Sequence, residues 1–203
     1  AGANKTTVTA DEVAKVKEIA NRVYGLSDIG NFDTQPLLED EKYIIKLDWN
    51  INDDHRANFV YMFNEGNDTR NMTSSDRELR LDSHWYNKFE ELNNFSVKLF
   101  SDWTDEFSSE ISVTQKSVET GQVSLNGGLG IGDVTIQNID EDNDGNSGSI
   151  AFGSDAFRHS NSLSNDLTIL KFDGSYLFDE HQLDFGIDYK ILKVENQFLP
   201  NSK

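Results

Sequence analysis

The chain has 203 residues, with 36 Asp and Glu against 18 Lys and Arg, a formal net charge of −18 and an isoelectric point near 4.4. That balance excludes nucleic acid as an expected partner, because phosphate binding needs clustered cations and the sequence has none. There is no cysteine, so a disulfide framework and thiolate chemistry are also excluded, while the length suits one or two domains with a core.

The opening AGANKTTVTADE has neither the basic nor the apolar region of a secretion signal. No run approaches the roughly 20 apolar residues of a membrane helix. Membrane strands escape that criterion, since each needs only about 9–11 alternating residues.

The first predicted element is a helix over 9–24. Thr9 and Glu12 have the spacing of a capping box, and Gly25 stands where a left-handed C-cap belongs. Val13, Val16, Ile19, Ala20 and Val23 form its apolar stripe, read as a packing face. Residues 26–41 read as a loop, with Pro36 blocking a long helix. The segment 1–40 is thus a helix-containing loop segment, and 41–203 a region of antiparallel β-hairpins.

Three hairpins follow from strict alternation, which places every second side chain on one face. In the first, Tyr43, Ile45, Leu47, Trp49 and Ile51 lead to a turn at 52–55 and a return through Ala57, Phe59, Tyr61 and Phe63. The second has Phe95, Val97, Leu99, Ser101 and Trp103, a turn at 104–106, then Phe107, Ser109, Ile111 and Val113. The third has Leu170, Phe172, Gly174, Tyr176 and Phe178, a turn at 179–182, then Leu183, Phe185, Ile187, Tyr189 and Ile191. Opposite faces carry Lys46, Asp48, Lys98, Asp102, Lys171, Asp173, Asp184 and Asp188. Long loops are expected at 64–94 and 116–169, the second with short strands at 133–139 and 149–152. Short turns at one end and long loops at the other are the habit of outer-membrane barrels, as are aromatics such as Trp49, Trp103 and Phe178 beside the short turns. A soluble sandwich with large insertions has the same outline. The expected fold class is mainly β, with six to eight antiparallel strands and one N-terminal helix.

Candidate chemistry is sparse. Asp140, Asp142 and Asp144, followed by Gly145, open like an EF-hand loop, but Ala151 stands where the closing bidentate acid belongs. An EF-hand is rejected, and these three carboxylates remain the candidate for a weak Ca²⁺ site; no other cofactor is expected. His55, His84, His159 and His181 have no metal-ligand spacing. The run Gly127-Gly128-Leu129-Gly130-Ile131-Gly132 fails the dinucleotide fingerprint, because Asp133 occupies its last glycine position. There is no nucleophile elbow, and no enzyme activity is expected.

EKYIIKLDWNINDDHRANFVYMFNEG (41–66), FSVKLFSDWTDEFSSEISVTQKSVETG (95–121) and the stretch 157–200, with HQLDFGIDY and ENQF, resemble barrel segments of TonB-dependent outer-membrane receptors. The nearest group is the Oar-like, OmpA-related one, and TADEVAKVKEIANRVYG resembles a helical segment between its early barrel strands. The resemblance implies a bacterial outer-membrane location, a 22-stranded barrel with a plug, and energised import of a bulky nutrient. A TonB box and plug domain are missing, so the expectation is a partial segment of a larger barrel. Its implied partners are outer-membrane lipid, a nutrient ligand, TonB through the absent plug and, for the isolated piece, its own edge strands. The competing reading is an autonomous secreted or periplasmic β-sandwich binding or adhesion module, in which apolar faces meet each other.

Overall fold

The computed structural model describes residues 6–70, 72, 75–140, 145–158 and 160–199. It is mainly β: a six-stranded antiparallel sheet, a small three-stranded mixed sheet and one α-helix. The helix α1 runs Ala10–Tyr24, and its capping box is formed in full. The Thr9 Oγ1 accepts from the Glu12 amide at 3.2 Å, and the Thr9 amide donates to the Glu12 carboxylate at 2.7 Å. Gly25 adopts φ 70°, and the amides of Gly25 and Leu26 close the helix on the carbonyls of Asn21 and Ala20. Val13, Val16 and Ala20 are buried, whereas Ile19 is 36% and Val23 58% exposed. That corrects the expected stripe: Ile19 lies at its rim, and Val23 belongs to the final turn, beyond the segment that packs.

The large sheet takes β1 (Leu38–Asn50), β2 (His55–Arg70), β4 (Tyr86–Asp102), β5 (Phe107–Ser124), β8 (Ser160–Phe178) and β9 (His181–Phe198) side by side in that order. All three hairpins are present. Side-chain oxygens hold the first two turns: the Asn52 carbonyl accepts from the amides of Asp54 and His55, and the Thr104 hydroxyl from those of Glu106 and Phe107. In the third, only Asp179 and Glu180 separate the strands, with Asp179 at φ 49°. That hairpin is tighter than the expected turn at 179–182.

The strands outrun the apolar alternation. β2 continues to Arg70 and β4 starts at Tyr86, while β5 reaches Ser124 and β8 begins at Ser160. The loops expected at 64–94 and 116–169 therefore narrow to 71–85 and 125–159.

Between these strands lie β3 (Glu78–Arg80), β6 (Val134–Ile139) and β7 (Gly148–Phe152), which form the small sheet. β6 and β7 are the antiparallel pair expected from the sequence. β3 joins β7 in parallel and was not anticipated. This pairing ties the two long links together at the end of the large sheet opposite the tight turns. α1 packs there too: Val8, Val13, Val16, Ala20, Ile29, Leu79, Leu81, Ile150 and Phe152 make one core cluster. Burying each of the larger aliphatic side chains contributes roughly 1.5–3 kcal/mol.

The glycine-rich run supplies an unusual turn in this unit. Asn126, Gly127, Gly128 and Leu129 hold φ between 51° and 60°, one turn of left-handed helix. Gly128 then meets Ser154 so closely that a Cβ has no room. The glycines serve backbone conformation and close approach.

Candidate functional site: the two faces and two ends of the large sheet

Strand register assembles the separate alternations into one surface. Leu47, Phe59, Val97, Val113, Leu170 and Tyr189 form an unbroken row across all six strands. Trp49, Ala57, Leu99, Ile111, Phe172 and Ile187 form the next, and a third contains Ile45, Tyr61, Phe95 and Ile191. Because residues opposite each other share a face, one side of the sheet is a continuous apolar band. From Leu183 to Ile191 it spans about 27 Å along the strand at the usual rise.

That band is open. Leu47 is 61% exposed, Trp49 60% and Ile187 68%, and every described side chain of β1 and β9 is exposed. β1 and β9 are also the sheet's outer strands, with one hydrogen-bonding edge each left without a strand partner among the described residues. A smooth aromatic cover develops towards the tight turns. Phe185 lies over Gly174, where a Cβ would come within 2.7 Å of its ring. Trp103 is seated there by an Nε1 hydrogen bond to the Ser109 hydroxyl at 2.9 Å and by a tilted contact with the His55 ring.

Towards the long links the band gives way over two rows, the first of which runs Tyr43, Phe63, Asn93, Ser117, Asp166 and Lys193. One row above Tyr43 and Phe63, the same face carries Glu41, Glu65, Glu91, Glu119, Ser164 and Glu195 opposite one another. The sequence contains all five glutamates, but only the register places them in one line.

The opposite face is polar from its centre to the tight turns, whereas towards the long links it also carries Ile44, Val60, Met62, Leu167, Ile169 and Leu192. Asp48, Asn58, Lys98, Ser112, Lys171 and Asp188 make its central row. Lys98 pairs with Glu110 at 2.8 Å, Lys190 with Asp188 at 2.9 Å, and Lys171 with Asp173. The Arg56 guanidinium lies 4.6 Å from the Phe100 ring centre, a cation–π contact. Near the tight turns, two open depressions of about 550 and 680 Å³ adjoin, sharing Asp102, Ser108 and Ser175. Asp54, Asp102, Asp105, Glu106, Glu110, Asp173 and Asp184 line them, so this end of the polar face attracts cations and repels anions.

The Ca²⁺ candidate is not assembled by the described residues. Asp140 directly follows the end of β6, while Asp142 and Asp144 lie outside the described residues. Among the described residues, no group of three or more His, Asp or Glu side chains is arranged to hold a metal ion. His55 and His181 open β2 and β9, at matching ends of their hairpins.

His84 belongs instead to a buried polar knot that sequence reasoning missed. It lies in the short 3₁₀ turn Asp82–His84, which is packed between two other segments. The Ser83 hydroxyl donates to the Ile29 carbonyl at 2.6 Å and accepts from the Gly153 amide at 2.9 Å. The Asp82 carboxylate accepts from the Asn31 amide at 2.8 Å and from the Thr34 hydroxyl, and His84 Nδ1 donates to the Gly153 carbonyl at 3.0 Å. Three polar residues before a Trp carry no sequence signal for this role, because their partners lie about 50 and 70 residues away. No helix among the described residues is long and apolar enough to cross a membrane, a criterion silent on strands. No family model, curated protein or solved structure matches the chain.

Proposed function

We propose that this chain is part of the wall of a TonB-dependent outer-membrane receptor, a transporter that imports a bulky nutrient. The observation that carries the reading is the uncovered apolar band on a single-layered sheet whose two edges are open. In water such a surface is a liability. In a barrel it meets hydrocarbon, the edges pair with neighbouring strands, and the polar face lines the lumen. The band's extent matches the roughly 25 Å apolar belt of such barrels once the strands tilt. The phrases in all three hairpins that resemble the Oar-like receptors support the same assignment. On this reading the chain turns over no substrate, and energy coupling to TonB lies in a plug beyond it.

A β-sandwich module would need a second sheet over the band. The small sheet does not serve, because Leu79, Ile150 and Phe152 are packed with α1.

The chain contains no cysteine, so single cysteines placed in it, within a receptor cleared of any cysteine elsewhere, permit a labelling test in lipid vesicles. Ile187→Cys and Val97→Cys should resist a water-soluble maleimide and react with a lipid-phase one. Asp188→Cys and Lys98→Cys should show the reverse. Equal labelling of neighbouring positions 187 and 188 by the water-soluble reagent would defeat the barrel assignment.

A further inference from the structure

Every buried apolar side chain among the described residues belongs to the unit at the long-link end, and none to the large sheet's apolar band. This head comprises α1, the segment around Ile29, β3, the 3₁₀ turn, β6 and β7. Its centre is closed: Leu81, Ile150 and Ala151 are wholly buried, Ile29 is 1% and Val13 2% exposed. The buried Ser83 and Asp82 side chains are paired within it. These are the ingredients of a structure stable in water, whereas the sheet lacks them.

The head is also spliced into the sheet. The Leu125 amide donates to the Trp85 carbonyl at 2.9 Å, carrying the β4–β5 ladder into it. The Thr69 amide donates to the Leu37 carbonyl at 2.9 Å, and the Leu37 amide to the Thr69 hydroxyl, extending β1–β2 in the same direction. The Trp85 indole Nε1 donates to the Arg80 carbonyl at 3.0 Å, fixing the point where β4 leaves the head. Strand register is therefore set from this end as well as from the tight turns.

We propose that the head is a self-folding clasp: it forms in water while the sheet's apolar band is still uncovered, and then templates the register of β4 and β5 as the sheet forms. Cross-strand pairing between distant segments is slow because loop closure precedes any reward, and the head, whose own Ser83–Gly153 contact spans 70 residues, meets that closure once for both links. A prefolded head brings the β2–β4 and β5–β8 links together in advance. The inference rests on the barrel reading only in what later covers the sheet, and the measurement separates the two.

The experiment is hydrogen exchange followed by mass spectrometry on the full chain, first in detergent-free buffer and then in non-ionic detergent micelles. The expected pattern in buffer is protection of 10–24, 79–85 and 148–153, with rapid exchange in 43–63, 95–115 and 170–191; micelles then protect the sheet. A head that gains protection only together with the sheet in micelles overturns the clasp and leaves the barrel reading standing. Full protection of both in buffer overturns the clasp, and the barrel reading with it.

Two variants test the template role. Ile150→Asp should abolish head protection in buffer and slow the sheet's gain of protection in micelles about tenfold. Ser83→Ala, a milder lesion of the same unit, should shift both in the same direction by less. An unchanged rate of sheet protection in Ile150→Asp, with the head unfolded, would overturn the template. Ile187→Asp should leave head protection in buffer untouched; its loss there would overturn the head's independence.

Discussion

The apolar band discriminates lipid from water most sharply at Ile187, midway along its length on β9. The side chain is 68% exposed within the chain, and its cross-strand partner is Phe172. If the band faces solvent, Ile187→Arg replaces one exposed side chain by another and shifts stability by no more than about 0.5 kcal/mol. If it faces hydrocarbon, an arginine at mid-depth costs about 2–4 kcal/mol, falling to about 0–1 kcal/mol near the interface. Glu195→Arg, on the same face and strand but at the level of the glutamate row, supplies the interfacial comparison. Asp188→Arg on the opposite face controls for β-propensity at the same depth. Denaturant titration of the vesicle-reconstituted protein, followed by tryptophan fluorescence, reads all three. Ile187→Arg should lose at least about 2 kcal/mol more than Glu195→Arg. Equal small losses at both positions would refute the placement of this face in lipid.

Two further outcomes concern the head. Thr9→Ala removes the hydroxyl that accepts from the Glu12 amide and should cost about 1 kcal/mol of head stability, read as lower exchange protection across α1; unchanged protection would show that the cap carries nothing. Gly127→Ala should cost about 1–2 kcal/mol, because Gly127 sits at φ 60° with nothing within 4 Å of an added Cβ, so backbone strain alone acts. Gly132→Ala, equally uncrowded but without positive φ, should be neutral or slightly stabilising, and equal losses at the two glycines would reject the left-handed turn.

The hairpins were legible because alternation of period two survives wherever one face is apolar and the other wet. It fails where both faces are wet, which is why the outer parts of β2, β4, β5 and β8 read as loops. There Asn64, Glu65, Glu90 and Glu91 alternate nothing, and only pairing with a neighbouring strand extends the element. The caps of α1 were legible because Thr9, Glu12 and Gly25 act within one turn of their own backbone. The exposure of Ile19 and Val23 was not, since a helical stripe says which side can pack but not how far its partner reaches. β3 and the Ser83 knot left no trace, as three-residue Glu-Leu-Arg has no period and its partner Ser149–Ala151 lies some 70 residues on. The polar face was foreseen through Lys46, Asp48, Lys98 and Lys171, but the aligned glutamates required the register.

On the proposed barrel reading, those glutamates would give the sheet a waterline. Like charges directly across a ladder repel, so Glu41, Glu65, Glu91 and Glu119 weaken the pairing they sit in unless water screens them. Sinking by one residue pair towards the tight turns would draw a whole rank of carboxylates into hydrocarbon at once. Rising by one pair would lift the aromatics around Trp49 and Phe185 out of it. On the barrel reading, sheet and bilayer would thereby be held at one height by opposing penalties, a draught mark written across five strands rather than an anchor at any single residue.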